Sequence, residues 1–371
     1  MGKLFAAITL FIASLLFPQT PVPSAHRSVL LDCGRKYYSK AWILDLLDHM
    51  EDCGANELVL HFSDDMGLRL ESRQYPWLAG SDNAWSLNPS VPDPDPGKVL
   101  TQDEVLEIGA AAQEKGIELI PSFDSPGHMR YVLERYRDQT GHDISTGFAP
   151  GCLDIANPEG VAFVRSLLRE YGDLFARTGS HQFDIGGDEV FARSLWSRAE
   201  SWENLAQQET GNLQCTAYDG FVLYMNATDE FVRSLGYDQT RMYSDMIRDS
   251  VLSLNSRITV SYWMLGPLTP RQIQERHEII NCMNFYLYYI LDPDLSYPGG
   301  CAAAIDREWT PQWFLGWPVD ESRISGSCFC IWSDIPGSQS QTQVMNGMLP
   351  RMEAWGRKNG QVPEPDGVAG T

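Results

Sequence analysis

The segment HQFDIGGDEVF, His181 to Phe191, sets two carboxylates, Asp188 and Glu189, directly after a β-type run and a glycine pair. Neighbouring acids repel, and successive strand side chains point to opposite faces. Both can serve one ligand only if the backbone bends there, which glycine permits. Two acids in unequal surroundings can divide a reaction, one moving a proton while the other stabilises positive charge. The plainer reading is a turn with solvated acids, and the rest of the chain has to decide between them.

Whatever these acids do, regular elements must position them. Short apolar runs alternate with helical patterns: SVLLDCGR, ELVLHF, IELIPSF, HQFDIGG, RMYSDMI, RITVSYW, EIINCMNFYLYYI and SGSCFCIWS read as eight strands. Between them stand helical stretches such as SKAWILDLLDHMEDCG, TQDEVLEIGAAAQEKG and PEGVAFVRSLLREYGDLFARTG, the last opened by Pro158 and closed by Gly179. Buried strands that alternate with helices argue for an α/β chain with a parallel sheet, and eight units at this length argue for a (β/α)8 TIM barrel. Active sites of such barrels lie at the C-terminal ends of the strands. The residues at those ends are Arg35; Asp64 and Asp65; Asp124 and His128; Asp188 and Glu189; Tyr243 and Asp245; Trp263; Tyr286; and Trp332 with Asp334. Ordinary strand ends would mix turn formers. Carboxylates, aromatic rings and an arginine at one rim have the composition of a sugar site.

Composition narrows the partners. The chain has 371 residues, 43% of them hydrophobic and 11% aromatic, which describes a well-cored globular protein. A formal net charge of −21 argues against nucleic acid and anionic membranes and suits a neutral or cationic partner. The N-terminal MGKLFAAITLFIASLLFPQTPVPSA carries Lys3 ahead of an apolar run from Leu4 to Phe17, too short to span a bilayer comfortably. It reads as a cleavable secretory signal over 1–25, despite Pro23 near the cleavage point, followed by a single domain over 26–371. The mature chain is therefore expected to be secreted, soluble and without a membrane anchor. Eight cysteines lack any C-x-x-C spacing. Cys33, Cys282, Cys328 and Cys330 fall inside apolar runs as small core residues, and few disulfides are expected.

The segments FDIGGDE, HFSDDMGLRLE and IPSFDSPGH resemble the signature segments of family 20 glycoside hydrolases, the β-N-acetylhexosaminidases. YWM, NFYLY and IWSD follow in the order of that family's later site residues. The likeness runs from Leu30 to Trp355, and the compact length is most similar to the single-domain dispersin-type members, which act on β-1,6-linked poly-N-acetylglucosamine of biofilms.

The resemblance implies substrate-assisted retaining catalysis without cofactor or metal, in which the sugar's own 2-acetamido oxygen is the nucleophile. It makes Glu189 the general acid and then base, with a raised pKa, and Asp188 the partner of the acetamido N–H. Tyr286 is implied to hold the acetamido oxygen, with Tyr288 as an alternative bearer. Trp263 and Trp332 wall the pocket, Asp245 shapes it, and Arg35 with Asp334 grips hydroxyls at the non-reducing end. Asp124, His128, Asp64 and Asp65, with Arg69, are implied to support the Asp188–Glu189 loop.

Two positions depart from the family pattern. Asp184 stands where the family has histidine, and Tyr243 where dispersin-type chains have tryptophan. A broad exo-β-N-acetylhexosaminidase or a lacto-N-biosidase, acting on glycans or chitin fragments, fits the same reacting site. A non-catalytic glycan-binding protein is the rival of a different class, although both acids are present. A metal-dependent polysaccharide deacetylase would draw on His61, Asp64, Asp65 and His128, which lack a recognised ligand spacing.

Overall fold

The computed structural model describes residues 25–82, 86–191, 193–292 and 299–360, so the expected signal segment, Ala25 apart, lies outside the described residues. Among the described residues, eight parallel strands close into a barrel: β1 His26–Asp32, β2 Glu57–Asp64, β3 Glu118–Phe123, β4 Gln182–Asp184, β5 Gln239–Tyr243, β6 Thr259–Tyr262, β7 Ile279–Asn281 and β8 Ile324–Trp332. Closure comes from β1, which pairs with β8 on one side (Leu30 opposite Cys330) and with β2 on the other (Leu30 opposite Val59). The expected TIM barrel is the fold observed.

Seven longer helices accompany the strands: α1 Lys40–Asp52, α2 Gln102–Glu114, α3 Arg130–Thr140, α4 Pro158–Ala176, α5 Glu200–Thr210, α6 Ala217–Ser234 and α7 Gln341–Lys358. Local sequence starts most of them. The Ser39 hydroxyl accepts the Trp42 N–H, Thr101 and Glu104 form a capping box, and Asn157 caps α4 ahead of Pro158; each such cap stabilises a helix by about 1 kcal/mol. Each helix turns an apolar stripe inward. Phe163, Leu167, Tyr171 and Phe175 of α4 are buried, and the last two pack on Phe62 of β2 at 4.7 and 5.8 Å between ring centroids.

One expected strand is divided. After β7, the Asn281 side chain accepts the Met283 N–H and donates to the Pro311 and Trp313 carbonyls, which turns the chain into a short helix, Asn284–Leu287. Tyr288–Ile290 then runs parallel to the outer end of β8, with Tyr288 opposite Cys330. That detour carries Tyr288 back over the barrel mouth.

The barrel's bore is separate from the layer between strands and helices. Leu30, Val59, Ile120, Ile280, Cys282, Cys328 and Cys330 fill its middle, and Tyr243, Tyr288 and Trp332 its upper end. A polar cluster closes the lower end, where buried Arg241 donates to Glu57 (2.7 Å), Ser28 (3.0 Å) and Gln182 (3.1 Å). All eight cysteines are free thiols, so the few disulfides expected do not form. Among the described residues, no helix is long and apolar enough to cross a membrane.

Candidate active site

At the end of β4 the Asp184 carboxylate accepts the Gly186 N–H at 3.0 Å and starts a sharp turn. Gly186 and Gly187 take φ of 69° and 88°, and Glu189 one of 41°. A Cβ on Gly186 would sit 2.0 Å from Oδ1 of Asp124, so glycine is required by space as well as by φ. The turn parts the two acids: Asp188 is 9% exposed, whereas the Glu189 side chain is 57% exposed. Asp184, the departure from the family pattern, is turned into the bore, where burial raises its pKa to about 6 against the Gly186 N–H and Arg241.

Asp245, two residues beyond β5, fixes the position of Glu189. Its Oδ2 accepts the Glu189 backbone N–H at 2.9 Å, and its Oδ1 accepts the Trp263 indole N–H at 3.0 Å. One carboxylate thus ties the acid to a wall of the pocket.

His128, held at φ 52° in the loop after β3, stands among four carboxylates. Its Nε2 lies 3.6 Å from Asp188 and 3.4 Å from Glu189, and its Nδ1 3.4 Å from Asp64 and 3.5 Å from Asp65. Burial opposes the imidazolium, but Asp64 and Asp188 outweigh it and hold the pKa well above the ordinary histidine value. Asp64 in turn accepts from Arg35 and His61, each at 2.9 Å, and from the Asp65 N–H at 2.6 Å. Despite its burial, Arg35 and His128 keep Asp64 well below the usual carboxylate range.

These charges correct one expectation. Glu189 was expected to have the raised pKa. The His128 ring 3.4 Å away outweighs burial and lowers it. Asp188 is raised instead, through burial with Asp245 and Glu189 nearby and His128 opposing, and so is Asp124, through burial beside Asp188.

The aromatic wall corrects another. The Tyr286 hydroxyl donates to Glu308 at 2.7 Å and its ring packs edge-on against Trp313, so Tyr286 does not join the site. Tyr288 stacks instead on Trp263 (6.0 Å, 4° between planes) and meets Trp332 at 5.8 Å. Tyr243 closes the box 6.4 Å from Trp332. The Tyr243 hydroxyl and Asp188 Oδ1 are buried without a hydrogen-bond partner among the described residues, as expected of groups that meet a ligand.

Arg35 lies over the Trp332 ring at 5.6 Å. Its direct ion pairs are to Asp64 and Asp32, both at 2.9 Å, while Asp334 is near enough to raise the arginine's pKa. The simple Arg35–Asp334 pair is therefore a larger cluster; Asp32 is the member that sequence reasoning missed, and His61, read there only as a candidate metal ligand, joins it through Asp64. Arg69 stands apart, bonded to Asp93 and to the carbonyls of Asp95 and Lys98. On the outer side of Glu189 an open cleft of ≈ 620 Å³ is lined by Glu189, Phe191, Asp245, Arg248, Met264 and Leu265.

Residues 25–357 match the model of the glycosyl hydrolase family 20 catalytic domain. The chain belongs to glycosyl hydrolase family 20. This family-20 chain is 28% identical over 249 residues to a lacto-N-biosidase of Bifidobacterium bifidum, covering 66% of the chain and 22% of that protein. It is 28% identical over 369 residues to a beta-hexosaminidase of Vibrio furnissii, covering 92% of the chain and 58% of that protein. It thus spans between a fifth and three-fifths of the length of these curated relatives. Among solved structures, Dispersin B superposes with a TM-score of 0.70 at 22% identity, over 90% of this chain and 99% of that one. A Bacteroides fragilis beta-N-acetylhexosaminidase superposes at 0.73 with 18% identity, over 93% of this chain and 68% of that one. The likeness to these two solved structures is one of fold.

Proposed function

We propose that this family-20 chain is a β-N-acetylhexosaminidase that releases β-linked N-acetylglucosamine by substrate-assisted retaining catalysis. The observation that carries the reading is the paired acid turn: a buried Asp188 with an open Oδ1 faces an aromatic box, and an accessible Glu189 faces a cleft. In this reading Asp188 Oδ1 accepts the acetamido N–H and steadies the positive charge that develops as the acetamido oxygen attacks the anomeric carbon. Glu189 donates its proton to the departing oxygen, then takes one from the water that opens the oxazolinium intermediate. Tyr288, in place of Tyr286, holds the acetamido oxygen, with Trp263, Trp332 and Tyr243 around the sugar and Arg35 and Asp334 at its hydroxyls. A bound glycan displaces water from a Glu189 that is 57% exposed in the free site, and desolvation acts upward on its pKa.

Two residues act through Glu189 and Asp188. Asp245→Ala removes both the acceptor of the Glu189 N–H and that of the Trp263 indole; a misplaced acid lowers kcat on the order of 10²-fold with a smaller change in KM. A rise in KM with kcat unchanged would show that Asp245 only binds. His128→Gln removes the cation that favours ionised Asp188. The Asp188 pKa, already raised by burial, then rises further, so the acidic limb of the kcat/KM profile moves to higher pH. An unmoved limb would mean that Asp188 does not need its charge.

Resemblance to dispersin-type members and the net charge of −21 favour β-1,6-linked poly-N-acetylglucosamine, cationic where deacetylated, as the glycan. The apolar segment behind Lys3 supports export to where such a polymer lies. The test is product release from matched β-1,6 and β-1,4 oligomers, with Glu189→Gln as blank. Preferential release from β-1,6 oligomers is expected. Equal or β-1,4-biased release makes the chain a general hexosaminidase, and release equal to that of the Glu189→Gln blank from both series rejects the activity.

A further inference from the structure

Beneath the aromatic box, the bore holds three thiols in contact. Cys328 and Cys330, two residues apart on β8, both point inward, and Cys282 follows β7 beside them. Their sulfur atoms all lie within 4.8 Å of one another, and those of Cys328 and Cys330 are 3.7 Å apart. Barrel bores are ordinarily filled by branched aliphatic side chains, so three adjoining sulfurs are an unusual filling.

The spacing has a chemical meaning. A metal–thiolate bond of about 2.3 Å puts the sulfurs of a three- or four-coordinate site about 3.8–4.0 Å apart. The Cys328–Cys330 separation is already close to that, and only a small contraction brings in Cys282. Three sulfur donors in one site are soft ligands, which favours soft cations over hard ones.

We propose that Cys282, Cys328 and Cys330 form a buried three-sulfur site for a soft monovalent ion, Cu(I), under the floor of the sugar pocket. Binding is a ligand exchange without redox change: metal–Sγ bonds replace the ligands that delivered the ion, and the coordinating thiols release their protons to buffer. The lower end of the bore is closed by Arg241, Glu57 and Gln182, so the ion enters through the mouth, past Tyr288. Because Tyr288 lies opposite Cys330, loading the site also disturbs the box wall; that consequence for catalysis rests on the hydrolase reading, whereas metal uptake does not.

The test is an anaerobic titration of the full chain against the coloured Cu(I)–bicinchoninate complex. The parent should take up one equivalent of Cu(I). Cys328→Ser/Cys330→Ser and, separately, Cys282→Ser should each weaken uptake at least about tenfold, while substitution of the exposed Cys301 by serine leaves it unchanged. Melting curves report whether each variant folds, and if the double variant does not, Cys282→Ser decides. No uptake by the parent, or undiminished uptake by the folded cluster variants, overturns the site and leaves the three thiols as core packing.

Discussion

Glu189→Gln should lower kcat/KM on oligomers of N-acetylglucosamine by about 10³–10⁴-fold, equivalent to about 4–5 kcal/mol of transition-state stabilisation. Glutamine keeps the side chain's shape and can still meet His128, but it cannot deliver a proton to a sugar oxygen. A good leaving group needs little protonation, so aryl glycosides bearing nitrophenolate should lose far less in the first step. Steady-state kinetics on the two substrate types give the answer directly. Equal losses on both would mean that Glu189 is not the acid, whatever its position beside the cleft. The fold should be unaffected, because the side chain is 57% exposed and its backbone N–H still reaches Asp245.

The second large effect is on stability and lies at the other end of the barrel. Arg241→Met should cost about 3–5 kcal/mol at neutral pH, because it leaves Glu57 buried without its guanidinium partner. In the parent, Arg241 and His26 outweigh burial and hold the Glu57 carboxyl well below the ordinary range. A carboxylate depressed in the folded state stabilises above its unfolded pKa, about 4.3, and loses that contribution as pH falls through its folded value. In the variant Glu57 can be neutralised by protonation, so the deficit should be largest near neutrality and shrink towards acid pH. Urea unfolding at both ends of that range measures it. The double variant Arg241→Met/Glu57→Gln should recover much of the loss, since a neutral glutamine at position 57 no longer needs a buried cation beside it. A deficit that does not change with pH would assign the effect to packing alone.

Much of this protein was legible in the sequence. Strand order and the helix bounds at Pro158 and Gly179 are written in residues within a few positions of one another, and so is the requirement for a bend at Gly186-Gly187. Two helices, α3 and α5, escaped because they begin at Met129 and Ala199, which supply no side-chain cap. The split after β7 escaped because it depends on Asn281 bonding to carbonyls 30 and 32 residues away.

The site divides along the same line. The sequence by itself determined which residue types stand at the barrel rim and that an acid pair must sit on a turn. Only the tertiary structure decided that Tyr288 and not Tyr286 joins the box, that Arg35 binds Asp32 and Asp64, and that His128 lowers Glu189 while burial raises Asp188. It also decided that the thiols of β8 and of Cys282, just after β7, meet in the bore. Local propensity and periodicity are properties of neighbours along the chain, whereas a pKa, an ion pair or a ligand set depends on distance and solvent exclusion among residues that the barrel brings together from far apart.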